Sequence, residues 1–388
     1  MNKKQILAAL VAIIAIAIFY YILQMKIPGT WQFVLVVVEM LAVNQIWIRY
    51  YKQSSEMGLI LLRSDKGLEA IDSIARTKEN LATTLVDIGN SIGYGMLSQF
   101  IFQKRASFRN FIIGLALLAF LSLLVAPTAF LFLFQVLKLG AVDKTVSMTG
   151  SVSQDTGLII VSAILAIGGL FLFILAGIVY YGGFVVLPAL ANLILHGSDT
   201  ITKTASGGTF LLPGINLPLF EGIIALAIVM VVHEGGHAVL SRIAKIRVLS
   251  SGLVLFGVIP IGAFVEPDEK EMVKVEAYKQ TRVLIAGPAA NFITSSITFI
   301  LFMALVYIMN NFDLTANPAL PAIKFIYVTL GLTFALNFIV GAVNLLPVPM
   351  FDGYRIMDVN VKNKTLVKII SYGTLMFFIL NFLPSLFR

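Results

Sequence analysis

The chain alternates long apolar runs with shorter polar stretches. A helix needs about 20 apolar residues to cross about 30 Å of hydrocarbon, and runs of that order occupy residues 6–23, 31–48, 111–137, 217–242, 283–309, 323–346 and 366–383. The first follows Lys3 and Lys4, ends in Tyr20 and Tyr21 and lacks a small-residue cleavage site, which predicts a retained anchor and not a signal peptide. Trp31 at one end of the second run and Trp47, Tyr50 and Tyr51 at the other read as interface belts. Pro127 predicts a kink in the third. The uncharged stretch 158–195 is too long for one crossing; Tyr180, Tyr181, Gly182 and Gly183 predict a break, followed by a short second crossing or re-entrant piece ending at His196.

The intervening segments are equally patterned. Residues 49–110 carry nine Lys or Arg against six Asp or Glu, which places them in the cytoplasm by the positive-inside rule. Within them Leu68, Ile71, Ala75, Leu81, Leu85 and Ile88 recur at helical spacing and predict one amphipathic helix packed on the membrane or on the transmembrane core. Residues 142–157, VDKTVSMTGSVSQDTG, read as an external loop. GLVLFGVIPIGAFV at 252–265 is apolar but short, and Gly257, Pro260 and Gly262 interrupt it. Non-helical backbone enters a bilayer only where protein or trapped water satisfies its polar groups, so a re-entrant β-hairpin against the helices fits best. The expected fold class is an all-α polytopic membrane protein of about eight to nine transmembrane helices with a short re-entrant β-hairpin.

Composition agrees: of 388 residues, 59% are hydrophobic and 12% charged. The net charge of +8 sits between apolar segments, where it faces a lipid headgroup layer; no nucleic-acid partner is expected. The absence of cysteine excludes disulfides, iron–sulfur clusters and thiolate-bound zinc, leaving histidine and carboxylate as strong metal ligands.

Two of the three histidines lie in VMVVHEGGHAVL, residues 229–240. On a helix His233 and His237 fall one turn apart on one face, so both can hold one cation with Glu234 beside it. Zinc so held makes water acidic near neutral pH, and an adjacent carboxylate can accept the proton. Each ionisable group at the bilayer interior costs about 2.5–3.5 kcal/mol on insertion scales, and no Lys or Arg shares this run to neutralise Glu234. A metal is the compensation the segment calls for. Gly235 and Gly236 leave room for a partner helix or substrate. Asp352, Glu266, Glu39 and His196 are candidate third ligands. Asp352 ends NLLPVPMFDG (344–353), where Pro347 and Pro349 stop a helix and deliver a carboxylate at membrane depth. Glu266 lies in the charged run EPDEKE, Glu39 is expected to hydrogen-bond within the N-terminal bundle, and His196 to sit at an interface.

Charge placement is an independent check. If His237 lies near the cytoplasmic end of its helix, Arg242, Lys245, Arg247, Lys270, Lys274, Lys279 and Arg282 fall inside. The next span exits, residues 310–322 carry no Lys or Arg, and the span from 323 returns Asp352 to the side of His237. Arg355, Lys362, Lys364 and Lys368 follow, again inside.

HEGGH in a membrane helix, GPAAN at 287–291 opening the next span and NLLPVPMFDG ending a later one together resemble the site-2 proteases, the intramembrane zinc metalloproteases, over residues 211–360. The resemblance implies one zinc ion held by His233, His237 and Asp352, Glu234 as general base, Asn344 steadying the substrate carbonyl or oxyanion, and Asn291 at a structural or substrate-contact position. It implies cleavage in or near transmembrane segments of other membrane proteins, in regulated intramembrane proteolysis, from a multi-pass protein of the plasma membrane with its active site toward the cytoplasm. Residues 201–388 form the expected catalytic core, with the hairpin beside the active site, and 1–200 an accessory membrane region matching none of the family's motifs. No loop near the core is long enough for the PDZ insertion many relatives carry, so external loops at 138–157 and 197–216, or the N-terminal spans, would filter substrates. Two other readings are an integral-membrane HExxH protease cutting outside the bilayer, which needs a downstream glutamate ligand, and a non-catalytic scaffold or transporter; the two repeated halves of many transporters are not found.

Overall fold

The computed structural model describes residues 3–27, 29–51, 55–56, 59–64, 67–101, 107–137, 154–209, 211–312 and 317–387. Eight of its helices are long and apolar enough to cross a membrane, and the protein is an integral, multi-pass membrane protein. Helices α1 (Lys3–Gln24) and α2 (Gly29–Tyr51) form an N-terminal pair. Two short strands, β1 (Ser55–Glu56) and β2 (Leu59–Ser64), lead to α3 (Leu68–Thr77) and α4 (Glu79–Tyr94). The single amphipathic helix expected here is thus two: Lys78 (φ −125°, ψ 22°) interrupts it, so that α3 stays peripheral while α4 turns inward and buries Val86 to Tyr94.

Prolines shape the next two spans. Helices α5 (Phe108–Phe120) and α6 (Ala126–Val136) are joined through a π-helical turn, Leu121–Val125, just before Pro127. Helices α7 (Gln154–Tyr180) and α8 (Leu187–His196) are joined likewise through Tyr181–Val186 before Pro188. Each proline lacks the N–H for the regular bond, and its ring crowds the carbonyl four residues back; a widened turn relieves both. Tyr180 to Gly183 therefore do not break the helix as expected, and the non-helical residue in this stretch is Gly169 (φ 61°, ψ −156°). The expected loop at 142–157 lies outside the described residues up to 153, and its last four residues begin α7.

The C-terminal half supplies α9 (Leu219–Ile243), β3 (Val248–Phe256), β4 (Ile259–Pro267), α10 (Ala277–Asn311), α11 (Leu320–Val343), α12 (Asp352–Asn360) and α13 (Lys364–Phe382). The expected hairpin is present as β3–β4, but it belongs to a four-stranded antiparallel sheet of order β1-β2-β3-β4. Residues 60–64 of β2 pair with 251–255 of β3, which leaves β4 as the edge strand on the side of α9. The hairpin turn is satisfied from α2: Gly257 (φ 64°) donates its N–H to Asn44 Oδ1 at 2.8 Å. Gly257 is buried, so this side chain satisfies a donor that solvent does not reach.

One hydrophobic core runs from Val86 on α4 to Ile356 on α12. At its centre Phe132 of α6 meets Phe302 of α10 edge-on with ring centroids 5.5 Å apart, and Phe302 meets Phe334 of α11 at 5.0 Å. Close backbone approach carries the α4–α10 contact, where a Cβ at Gly89 would fall 2.1 Å from that of Ala289. Gly89→Val is expected to destabilise the fold by about 1–3 kcal/mol, the usual cost of overpacking, measured as a lower thermal midpoint in detergent.

Candidate active site

Helix α9 runs unbroken through the HEGGH segment, so His233 and His237 stand one turn apart, edge to face, with ring centroids 4.8 Å apart. Packing against α10 is what lets them face a third ligand. Gly236 lies on the backbone of α10, where an added Cβ would meet Ala286 O at 2.5 Å, whereas Gly235 faces open space. From the other helix Gly287 lies beneath both rings; a Cβ there would stand 2.4 Å from His237 Nε2 and 2.7 Å from His233 Nε2. The glycine of GPAAN is thus a steric requirement of the histidine pair. Gly287→Ala is expected to displace the rings and lower bound zinc well below that of the unaltered protein, measured by elemental analysis of the purified chain.

Asp352 arrives from α12. After α11, residues 344–351 fold back tightly: Leu345 and Leu346 donate to Ala342 and Val343, Val348 to Leu346, and Phe351 to Val348. Pro347 and Pro349 contribute no donors to this turn. The loop closes where Gly353 N donates to Asn344 O at 2.7 Å. Asp352 Oδ2 then stands 3.2 Å from His233 Nε2 and 3.4 Å from His237 Nε2, with the two ring nitrogens 3.2 Å apart. All three side chains are largely buried, at 8%, 12% and 14% exposure for His233, His237 and Asp352.

The outer hydrogen bonds determine what these atoms offer. His237 Nδ1 lies 2.7 Å from the carbonyl of Val283, which can only accept, so Nδ1 carries the proton. His233 Nδ1 lies 2.6 Å from Asn291 Oδ1. The amide of Asn291 donates to Asn337 Oδ1 (2.9 Å) and Val229 O (3.4 Å), and Asn337 donates to Thr333 O (2.8 Å). A relay ending on a main-chain carbonyl leaves Asn291 Oδ1 as acceptor and His233 Nδ1 as donor. With Nδ1 donating in each ring, Nε2 is the atom that faces the carboxylate, and an unprotonated Nε2 turns a lone pair toward it. Asp352 Oδ2 is buried with no partner of hydrogen-bond geometry among the described residues.

Three lone pairs converging in a dry pocket repel unless a cation lies between them. A tetrahedral ion with ligands at about 2.0–2.1 Å sets them about 3.3 Å apart, which the three separations match. Two imidazoles and a carboxylate are also the donor set of catalytic zinc sites that keep a position open. The residues fit the metal.

Glu234 lies on the side of the hairpin, and its Oε2 accepts the N–H of Val265 on β4 at 3.0 Å. Asn344 caps α11 with Nδ2 donating to Val340 O at 3.0 Å, so one amide hydrogen is engaged in its own helix. The alternative ligands lie elsewhere. Glu266 accepts from Ser250 Oγ (2.6 Å) and Arg63 Nε (3.3 Å); the Ser250 hydroxyl, with Arg63 beside it, holds its carboxyl below the ordinary range. His196 is exposed at the end of α8. Glu39, expected to hydrogen-bond in the N-terminal bundle, has its carboxylate buried against the main chain of Phe19 on α1. Sequence reasoning missed Asn337, the Val283 carbonyl and Tyr94, whose phenol burial, aided by the nearby Asp352 carboxylate, pushes to a high pKa and keeps neutral. An asparagine one helix away and a main-chain oxygen leave no mark in a motif.

Residues 221–383 match the family model of Peptidase family M50. A stretch of 115 residues is 36% identical to an uncharacterized protein of Methanocaldococcus jannaschii, covering 30% of this chain and 31% of that protein, so less than a third of the relative's length is matched. No solved structure matches the chain.

Proposed function

We propose, from the premise that residues 221–383 are of Peptidase family M50, the site-2 protease family of zinc metallopeptidases, that this chain is an intramembrane endopeptidase. It hydrolyses peptide bonds in or near transmembrane segments of other membrane proteins, in regulated intramembrane proteolysis. The family supports a membrane metalloprotease; the observation that carries the finer reading is the convergence of three metal-ligating side chains from membrane-spanning α9 and the start of α12. The protein sits in the plasma membrane in this reading, and the arrangement of basic residues supports a site toward the cytoplasm.

His233, His237 and Asp352 would hold the zinc, which when bound supplies Lewis acidity toward a peptide carbonyl and makes water acidic near neutral pH. Glu234 takes a proton from the attacking water as its oxygen bonds to the carbonyl carbon. It returns that proton to the amide nitrogen as the C–N bond breaks. A substrate helix conceals its carbonyls in its own hydrogen bonds and must be extended first. Strand β2 already covers one side of the hairpin, so β4 is the edge on which an extended segment pairs, next to Glu234. The second amide hydrogen of Asn344 is the donor for the developing oxyanion.

The test is cleavage of a model transmembrane substrate by the purified protein in lipid vesicles. Chelator is expected to stop it and added zinc to restore it; equal cleavage in all three conditions would overturn the reading.

A further inference from the structure

Three consecutive residues at the start of α10 each bond a different helix. Thr281 Oγ1 accepts from Asn360 Nδ2 of α12 at 2.8 Å. Arg282 donates from Nε and Nη2 to the two carboxylate oxygens of Asp87 on α4, at 3.0 and 2.8 Å. Val283 O accepts from His237 Nδ1 of α9. This one turn therefore joins the helix that begins with Asp352, the helix that carries the histidine pair, and α4. The first two belong to the family-matched region 221–383; α4 precedes it.

Helix α4 is in backbone-close contact with the segments that support the site. Beyond the Gly89–Ala289 approach, a Cβ at Gly93 would meet Leu345 at 3.2 Å and Ile285 at 3.6 Å, on the loop leading to Asp352 and on α10. Glycine contacts of this kind set distance but not rotation. The Asp87–Arg282 pair sets rotation, because a guanidinium bonded through two nitrogens to two oxygens has one planar geometry. Both partners are withdrawn from solvent, Asp87 at 8% and Arg282 at 28% side-chain exposure. A helix backbone has a radius of about 2.3 Å, so a 20° turn of α10 would shift the Val283 carbonyl by about 0.8 Å, enough to stretch or misalign its hydrogen bond to His237.

We infer that Asp87 is a positioning residue of the metal site: through Arg282 it fixes the rotation of α10 and hence the Val283 carbonyl that orients His237. The N-terminal region thereby supplies part of the support of the site, and the ring it orients is one of the proposed ligands, so this inference rests on the reading above. A buried ion pair contributes little net stability over an apolar pair of the same size, but it is directional. A direction is what a ligand's orienting group requires.

The experiment measures zinc affinity of the purified full-length protein by competition with a chromophoric chelator, and the visible absorption of the cobalt-substituted protein as a reporter of ligand geometry. Asp87→Asn keeps the shape and removes the charge. It is expected to weaken zinc binding about tenfold, the lower end of what loss of a supporting group costs, and to alter the cobalt bands with helicity unchanged. In an Arg282→Gln background the same substitution is expected to add nothing, because the two act in series. Asp72→Asn removes a different ion pair of the N-terminal region, Asp72 with Arg242 of α9 at 2.8 Å, and is expected to leave zinc affinity as it was. Should Asp87→Asn fail to fold, Arg282→Lys, which keeps the charge but loses the fork, is expected to change the cobalt bands in the same sense. Zinc affinity within twofold of the unaltered protein in the folded Asp87→Asn or Arg282→Lys variant overturns the inference, as does an equal loss with and without Arg282. His233→Ala separates the two levels: if it leaves zinc binding intact the site itself is wrong, and if it abolishes binding while Asp87→Asn does not affect it, only the positioning role falls.

Discussion

Glu234→Gln is expected to lower cleavage of a transmembrane substrate by about two to four orders of magnitude, the contribution of a positioned general base, while zinc content stays as in the unaltered protein. The side chain is adjacent to His233 but outside the trio of converging atoms, and its carboxylate accepts the Val265 N–H of the edge strand. Glutamine keeps that hydrogen bond through its carbonyl oxygen and has nearly the same volume, so fold and metal site are preserved. What it loses is the capacity to accept a proton from water and return it to the leaving nitrogen. Parallel measurement of turnover and zinc per chain checks both halves. A scaffold that merely binds metal would keep its activity in this variant, and unchanged cleavage would reject the assignment of the base.

Asp352→Ala is expected to abolish cleavage by a different route, through the metal. Its Oδ2 is the third atom of the trio, 3.2 and 3.4 Å from the histidine nitrogens, and two histidines alone make a weak site. Loss of zinc affinity should exceed the roughly 10- to 100-fold that removing an orienting group costs. The backbone is expected to persist, since Gly353 N and Asn344 O hold the loop whatever side chain stands at 352. Titration with zinc and helicity by circular dichroism distinguish the outcomes. Full zinc affinity in this variant would favour a downstream glutamate as ligand and a protease cutting outside the bilayer. Glu266 is a poor substitute, already engaged by Ser250 and Arg63.

The membrane spans were legible because a bilayer imposes length and apolarity on any segment crossing it, and the hairpin at 252–265 because its glycines and proline forbid a crossing helix. The histidine pair was legible because helical spacing alone decides that positions 233 and 237 share a face. Lys78 divides a segment whose apolar positions before it (68, 71 and 75) and after it (81, 85 and 88) fall on faces roughly 100° apart on a continuous helix, and a π turn absorbs the strain of Pro188, so that Tyr180 to Gly183 stay helical while Gly169 does not. The pairing of β2 with β3 joins residues far apart in sequence. No pattern within either strand announces its neighbour.

From the sequence by itself came the place of the apolar spans and their number to within one, the ligand types available in a chain without cysteine, and the local geometry of HEGGH. Each of these depends on interactions within a few residues or with the solvent. Only the tertiary structure decided which way the imidazoles point, that Gly287 must be bare, that Asn291 relays to Asn337, and that Asp87 reaches Arg282 from a helix outside the family-matched region. In a membrane protein nearly every helix face is apolar, so hydrophobic periodicity does not say which faces meet; the choice is made by close backbone contacts and by the few buried polar groups that must find one another.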